Sequence, residues 1–175
     1  MGEVNKNLWA PWRMEYVETL TGDDDRGCFL CRYAAAPEDD RANLVIWRTD
    51  RCLTLFNRFP YANGHLLIAP MAHQAELEEL DDPTLDEMIR VVRDVQRLLR
   101  AATGCQGSNV GMNFGKCAGA GLPGHLHVHI VPRWDGDVNF MSVLADTRII
   151  PQGIEALRAK MVEAARSLGL PPVRE

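Results

Sequence analysis

Three histidines occupy alternate positions in the segment His125-Leu126-His127-Val128-His129. Alternate residues of a β-strand share one face, so a strand here would display three imidazole rings and bury Leu126, Val128 and Ile130 on its other side. A neutral imidazole is a good nucleophile at phosphorus near neutral pH, and neighbouring rings can stabilise the charge on phosphoryl oxygens. The spacing alone is equally compatible with a zinc site, and polar residues on a solvated sheet face are a third explanation.

A pair of cysteines with the spacing of zinc ligands lies in Cys28-Phe29-Leu30-Cys31. Zinc would need two further ligands, for which His73 and His125 are candidates. A redox pair or two unrelated core cysteines would explain the same spacing. The other three cysteines show no partner pattern and are predicted to be structural: Cys52, Cys105 and Cys117.

Two further features could bind a ligand. The glycine-rich stretch from Gly115 to Gly121 precedes the histidine segment and offers unobstructed backbone amides to phosphate oxygens, although a flexible turn explains it better in isolation. Asn57 ends an apolar run, where its amide could bind sugar hydroxyls. A turn asparagine ahead of Pro60 is an equally good explanation.

The elements that must position these residues form a predicted antiparallel sheet. Strands are expected over 43–48, 52–57, 65–69, 108–115 and 125–133, the first two joined as a hairpin through Thr49-Asp50-Arg51. The polar stretch from Pro37 to Arg41 is expected to be a surface loop. Few crossover helices separate these strands, which favours an α+β fold over a doubly wound one.

One long helix is predicted between the third and fourth strands, with Asp82 as its cap, Pro83 as its first residue and Gly104 after its end. Its apolar residues recur at helical spacing: Leu85, Met88, Ile89, Val92, Val95 and Leu99. A C-terminal helix is predicted from a second such set: Ile154, Leu157, Met161, Ala165 and Leu168.

Composition excludes several classes of function. The 175 residues, 46% hydrophobic and 25% charged, suffice for one domain, and no apolar run reaches the length that a bilayer requires. A net charge of −5 without a cluster of lysines and arginines argues against nucleic acid as a partner. Five cysteines, an odd number, and a polar start through Arg13 lead us to expect reduced thiols and a cytoplasmic protein.

The segment from His125 to Val131 matches the histidine triad signature, in which histidines alternate with apolar residues, and the chain therefore resembles the histidine triad superfamily of nucleotide hydrolases and transferases. Two more motifs follow the order of that family, in 56–73 and in Asn113-Phe114-Gly115. The segments 8–13 and 132–140 resemble the bacterial diadenosine polyphosphate phosphorylase or hydrolase branch, while Trp9 and Trp12 are predicted to be packing anchors.

The resemblance implies a mechanism and a set of roles. His127 would attack an α-phosphate to form a nucleotidyl-histidine, with the backbone carbonyl of His125 fixing its tautomer. His129 and His65 would hold phosphate oxygens, and Asn57 would bind ribose. Asn113 and backbone amides of Gly119 and Gly121 would support the phosphate.

The resemblance also implies cofactors and an assembly. A structural zinc would be held by Cys28, Cys31, His73 and His125, and magnesium could accompany the polyphosphate substrate. We expect a homodimer and a single domain over 1–175, with an N-terminal arm over 1–27, a core over 28–134 and a C-terminal extension with a helix over 135–175.

Three alternatives remain at this point. A nucleoside phosphoramidase of the same superfamily would use the same triad. A nucleotide-binding sensor would keep the pocket with little turnover, and a metallohydrolase would place zinc on the triad itself.

Overall fold

The computed structural model describes residues 27–137, 150 and 152–174. The predicted N-terminal arm, with Trp9 and Trp12, and the segment 138–140 lie outside the described residues. In the described part of the chain, no helix is both long enough and apolar enough to cross a membrane.

The described strands form one five-stranded sheet in which every neighbouring pair is antiparallel. The strands are β1 (Val45–Arg48), β2 (Cys52–Phe56), β3 (Leu66–Pro70), β4 (Gly107–Met112) and β5 (Val128–Arg133), in the spatial order β1-β2-β3-β5-β4. The predicted hairpin is confirmed, since Thr49 and Cys52 exchange backbone and side-chain hydrogen bonds across its turn. The α+β fold class is therefore confirmed.

Three α-helices accompany the sheet in the described residues: α1 (Phe29–Ala35), α2 (Asp82–Thr103) and α3 (Ile154–Leu168). The helices α2 and α3 pack against each other and against one face of the sheet. The opposite face carries a smaller apolar cluster that includes Leu30 of α1. Both predicted helices are thus confirmed, and the long one does fall between β3 and β4.

The start and the buried face of α2 differ from the prediction. Asp81, not Asp82, is the N-cap, and its carboxylate accepts a hydrogen bond from the backbone N–H of Thr84 at 3.0 Å. Ile89 is 64% exposed, because it lies one position, or about 100° of helical rotation, beyond the buried Met88. The buried stripe instead continues through Val91.

The prediction of a surface loop over 37–41 is wrong for Asp40. Pro37–Asp39 forms a 3₁₀ turn, and Asp40 directly after it is buried. Its carboxylate accepts hydrogen bonds from Arg48 at 2.6 and 2.8 Å, which satisfies both charges away from solvent. This ion pair joins the turn to the end of β1.

The two edges of the sheet differ in how they are covered. Beside β1, the tail after α3 returns to the sheet, where the N–H of Arg174 donates to the carbonyl of Ile46 at 3.0 Å. The indole of Trp47 donates to the carbonyl of Pro171 at 3.0 Å. At the other edge lies β4, whose six residues carry no charge and are half-buried or exposed.

Candidate active site and metal centre

The histidine segment runs into the interior strand β5, between β3 and β4. Leu126, Val128 and Ile130 are buried in the core under the helices, as predicted. The strand itself begins only at Val128, three residues later than predicted. The N–H of Leu126 donates to the carbonyl of Gln74 at 2.7 Å, a residue beyond the end of β3, so the chain before Val128 lies outside the ladder.

The three rings of the triad have different neighbours. The rings of His127 and His129 lie edge to face with centroids 4.9 Å apart. The ring of His125 lies edge to face with that of His73, 5.1 Å away. The apolar residues between them, Leu126 and Val128, both lie in the helix-covered core, in keeping with the predicted alternation.

His127 has a defined protonation pattern. Its Nδ1 lies 2.9 Å from the backbone carbonyl oxygen of His125. A carbonyl can only accept, so Nδ1 carries the hydrogen and Nε2 of the neutral ring keeps its lone pair. Burial lowers the pKa of His127 below its usual value, although the bond to the carbonyl opposes this shift. The result is a neutral imidazole with a nucleophilic nitrogen.

His129 is linked to a fourth histidine. Its Nδ1 lies 3.0 Å from Nε2 of His65, a fully buried residue just before β3. Burial is the largest cause that lowers the pKa of His65 to about 3 and that of His129 to about 4, and neighbouring histidines lower both further. Both rings are therefore neutral at pH 7.

The surroundings of His65 bear on the role predicted for it. Its Nδ1 accepts a hydrogen bond from the backbone N–H of Tyr61 at 3.1 Å, and its Nε2 faces His129. Both ring nitrogens are engaged inside the protein, which leaves neither for a phosphate oxygen. In this geometry His65 can act on a substrate only through His129.

Asn57 lies against the same ring. Its Oδ1 accepts a hydrogen bond from the N–H of Phe59 at 2.9 Å, and its Nδ2 lies 3.3 Å from Nδ1 of His65. The prediction that Asn57 binds ribose stays a prediction, and the contact with His65 was not anticipated.

Tyr61 is a site residue that the sequence reasoning missed. Its ring stacks on that of His129, with centroids 5.9 Å apart and planes 21° apart, and lies 4.6 Å from the ring of His65. The side chain is 48% exposed. The signal available in the sequence was an aromatic residue four positions before the predicted site histidine, in a segment with the turn residues Asn63-Gly64.

The predicted phosphate contacts lie on the loop before the triad. Asn113 directly follows Met112, the last residue of β4, which pairs with Val128. Gly119 ends the 3₁₀ turn Lys116–Ala118 with a φ of 86°, a conformation that favours glycine. Gly121 is half-buried. Contact of these residues with phosphate stays a prediction.

Four residues assemble into a candidate metal centre, as predicted. The ligand atoms of Cys28, Cys31, His73 and His125 all lie within 4.8 Å of one another. The Sγ of Cys28 lies 3.1 Å from Nδ1 of His125, and the Sγ of Cys31 lies 3.2 Å from Nδ1 of His73. The ligand atoms of a tetrahedral zinc site are roughly 3.3–3.8 Å apart, so a metal ion fits this set.

The second contact of His125 prepares it for metal binding. Its Nε2 lies 2.9 Å from the carbonyl oxygen of Pro70, which requires a hydrogen on Nε2 and leaves the lone pair of Nδ1 facing the cysteines. The backbone carbonyl of His125 remains available to His127. One residue therefore serves both sites. The group of candidate ligands found among the described residues does not include His127 or His129.

The cysteines of this centre differ from the remaining ones. Burial, followed by the contact with Cys28, raises the pKa of the Cys31 thiol, a cost that a bound cation would offset. Cys52 and Cys105 are buried, in keeping with the structural role predicted for them. Cys117 is exposed, so it does not contribute to a core.

Comparison with known proteins places this architecture in a family. A family model described as HIT domain matches residues 39–136, which is more than half of the chain. The chain belongs to the HIT domain family. An AP-4-A phosphorylase of Mycobacterium tuberculosis is 34% identical to this HIT protein over 151 residues, covering 84% of the chain and 77% of the relative.

Further relatives share the HIT domain. An asymmetrical bis(5'-nucleosyl)-tetraphosphatase of Schizosaccharomyces pombe is 33% identical over 93 residues, covering 53% of this chain and 50% of the relative. Among solved structures, a Zn-bound histidine triad family protein from Mycobacterium smegmatis superposes with a TM-score of 0.64 at 24% identity. That match covers 82% of this HIT protein and 97% of the other chain, and shows that the fold is shared.

Proposed function

We propose that this HIT protein cleaves dinucleoside polyphosphates through a covalent nucleotidyl-histidine intermediate on His127. The observation that carries the proposal is the bond between Nδ1 of His127 and the carbonyl of His125, which leaves Nε2 as an unprotonated nucleophile. Relatives named for the phosphorolysis of AP-4-A and for the cleavage of bis(5'-nucleosyl) tetraphosphates support this substrate class.

The reaction would proceed in two displacements. In the first, Nε2 of His127 attacks the α-phosphorus, the N–P bond forms, and the P–O bond to the rest of the polyphosphate breaks. In the second, water or orthophosphate attacks the same phosphorus and releases the nucleotide from His127. The imidazole is regenerated with its hydrogen still on Nδ1.

Other residues would stabilise the charge that develops on the phosphoryl oxygens. His129, whose ring lies next to that of His127, would contact one oxygen. Asn113 and the backbone amides of Gly119 and Gly121 would contact others, and Asn57 would contact the ribose. Magnesium would be bound by the polyphosphate itself, whose charge it would neutralise.

Product analysis shows whether water or orthophosphate attacks in the second displacement. The chain is incubated with diadenosine tetraphosphate with and without orthophosphate, and the nucleotides are separated. ADP and ATP formed only with orthophosphate indicate phosphorolysis, whereas AMP and ATP in both conditions indicate hydrolysis. No turnover of any adenylylated substrate would contradict the proposal and favour a nucleotide-binding sensor.

We propose zinc as the ion of the metal centre. Two thiols and two imidazole Nδ1 atoms are the donor set of many structural zinc sites, and all four positions would be taken by protein ligands. Such a closed site supplies stability rather than a reactive water. The ion would tie α1, through Cys28 and Cys31, to the segment that leads into the triad.

We propose that a second copy of the chain pairs with β4 to form a homodimer. This strand spans six residues from Gly107 to Met112 without a charged residue or a proline, the usual protections of a free edge. Val110 on it is 44% exposed, and Ile89 on the neighbouring α2 is 64% exposed. The bond between Gln96 of α2 and Ser108 holds the helix beside the strand, so one surface combines both features.

We propose a cytoplasmic location because the metal centre requires reduced thiols. The single domain over 1–175 likewise stays a proposal. Its core over 28–134 contains the sheet and both sites, which supports this division.

A further inference from the structure

We infer that the backbone of Tyr61 sets the tautomer of His65, and that His65 in turn holds His129 in the tautomer opposite to that of His127. The inference rests on the proposed function for its catalytic meaning, but the tautomers are a property of the resting protein. His65 is a positioning residue in this account, because it acts through His129.

The side-chain amide of Asn57 lies against the ring of His65. A backbone N–H can only donate, so the atom that faces the N–H of Phe59 at 2.9 Å must be the oxygen of the amide. The nitrogen of the amide therefore faces His65, 3.3 Å from its Nδ1 and 3.5 Å from its Nε2. A donor that is nearly equidistant from both ring nitrogens does not select a tautomer.

The backbone of Tyr61 selects the tautomer of His65. Its N–H donates to Nδ1 of His65 at 3.1 Å. A ring nitrogen that accepts a hydrogen bond must keep its lone pair, so the hydrogen of the neutral ring is on Nε2. His65 is fully buried, and no rotation toward solvent offers another arrangement.

His65 in turn selects the tautomer of His129. Nε2–H of His65 donates to Nδ1 of His129 across 3.0 Å, so Nδ1 of His129 is an acceptor and the hydrogen of that ring is on Nε2. His127 has the reverse pattern, with its hydrogen on Nδ1 and its lone pair on Nε2. Two rings with centroids 4.9 Å apart are thereby prepared for different tasks, one as nucleophile and one as hydrogen-bond donor.

The consequence for function is a donor that is in place before substrate arrives. If the tautomer of His129 were free, its Nε2 would be unprotonated for part of the time and would repel a phosphoryl oxygen. Holding the hydrogen on Nε2 avoids that repulsion, and the site does not need to reorganise during the reaction.

The test uses nitrogen-15 NMR of the full chain, purified with its metal. The chain has five histidines, so their ring signals can be assigned with single His variants, and two-bond correlations report which nitrogen carries hydrogen. We expect Nε2–H for His65 and His129 and Nδ1–H for His127. Nδ1–H on His129 in the substrate-free wild type would overturn the inference.

The first variant is Asn57→Leu. It removes the amide but leaves the bond from the N–H of Tyr61 to Nδ1 of His65 in place, so the ring patterns of His65 and His129 should stay as in wild type. KM should rise, because Asn57 is proposed to contact the ribose. Changed ring patterns in this variant would contradict the assignment of the tautomer to Tyr61.

The second pair of variants replaces His65. Gln can present an amide N–H near the position of Nε2, so His65→Gln should keep the tautomer of His129 and keep kcat within about tenfold of wild type. His65→Leu offers no donor and should lower kcat by about 10²-fold. Equal losses in the two variants would contradict the positioning role. A wild-type chain that shows the expected tautomers but no turnover would refute the proposed function and leave this inference standing.

Discussion

At the scale of single residues, the site depends on what each histidine ring touches. His125 gives its Nδ1 to the metal centre and its backbone carbonyl to His127, so one residue links the two sites. His127 and His129 belong to the same segment but face different partners, a carbonyl in one case and a ring nitrogen in the other. Identical side chains therefore acquire different chemistry from their hydrogen-bond partners.

Replacing the nucleophile should stop the reaction at its first step. His127→Ala removes the only nitrogen assigned to attack phosphorus, so the nucleotidyl-enzyme should not form and kcat should fall by at least about 10⁴-fold. Acid quenching with substrate labelled at the α-phosphorus measures the covalent species. Nucleotide binding should persist in this variant. Labelled protein from His127→Ala in wild-type amounts would assign the attack to another residue.

The depressed pKa values of His65 and His129 predict how stability varies with pH. The folded values of about 3 and about 4 lie below the ordinary value of 6.5. As the pH falls below 6.5, the unfolded chain binds protons that the folded protein does not, so the free energy of unfolding decreases until the pH reaches about 4 for His129 and about 3 for His65. The contribution of these two rings to stability is therefore fully present above about pH 6.5 and is lost toward acid.

Urea denaturation of wild type and His129→Asn at pH 7.5 and 5.0 measures this effect. We expect the wild type to lose about 1–2 kcal/mol more than the variant over this interval, because the variant lacks one of the buried rings. Both proteins keep the metal centre, so its own pH dependence cancels in the comparison. Equal decreases in the free energy of unfolding in the two proteins would show that His129 does not cause the pH dependence.

At the scale of elements, each helix or strand is positioned by a few polar contacts in addition to its apolar face. The helix α2 begins at the Asp81 cap and ends at Gly104, whose φ is 67°. The helix α1 is short, and two of the candidate metal ligands, Cys28 and Cys31, lie at its start and in its first turn.

Two adjacent aspartates allow the cap of α2 to be tested. Asp81→Ala removes the acceptor for the N–H of Thr84 and should lower Tm by roughly 2–4 °C. Asp82→Ala, one position later, should change Tm by less than half as much, since no cap bond to its side chain is seen in the described contacts. Thermal unfolding followed by circular dichroism measures both. A larger decrease in Tm in Asp82→Ala than in Asp81→Ala would identify Asp82 as the N-cap.

Removing the metal should loosen α1 from the sheet. We expect about one zinc per chain by elemental analysis, and a lower Tm after chelation or in Cys31→Ser. Cys117→Ser is the matched control, because Cys117 is exposed and outside the candidate centre. A chain that holds no metal, or whose Tm does not respond to chelation, would contradict the proposal of a structural zinc.

At the scale of the whole molecule, one edge of the sheet is covered by other parts of the chain and the other edge is not covered in the described residues. The β1 edge is covered by the C-terminal tail and by Arg158, whose guanidinium donates to the carbonyl of Val45 at 2.8 Å. The β4 edge has no such cover in the described residues, and it is uncharged. This asymmetry is the physical basis for the proposed pairing of two chains.

A charge placed on the β4 edge should separate the two chains. Val110→Lys puts an ammonium where the proposed interface would bury an apolar side chain, and should shift light scattering from the mass of two chains to that of one. Leu77→Lys, on the 3₁₀ turn Leu77–Glu79 and exposed to a similar extent, should leave the mass unchanged. A wild-type chain that is monomeric at micromolar concentration would refute the dimer.

Local sequence patterns are sufficient to predict the elements and most of the chemistry. Alternation in 125–131 and the periodicity in 82–104 are local patterns, so they predict a strand and a helix without knowledge of the fold. The spacing of Cys28 and Cys31, together with the family resemblance, was enough to name four metal ligands that the structure brings together.

The hydrogen-bond partners of the site histidines follow from the tertiary structure alone. The ring of His125 contacts Cys28 and Pro70, which lie 97 and 55 positions away, and no local pattern encodes such contacts. The contacts of Asn57 and Tyr61 with His65 likewise depend on how the turn between β2 and β3 folds back on itself. Periodicity reports which face a side chain takes, whereas the hydrogen-bond partner that selects a tautomer is known only once the chain is folded.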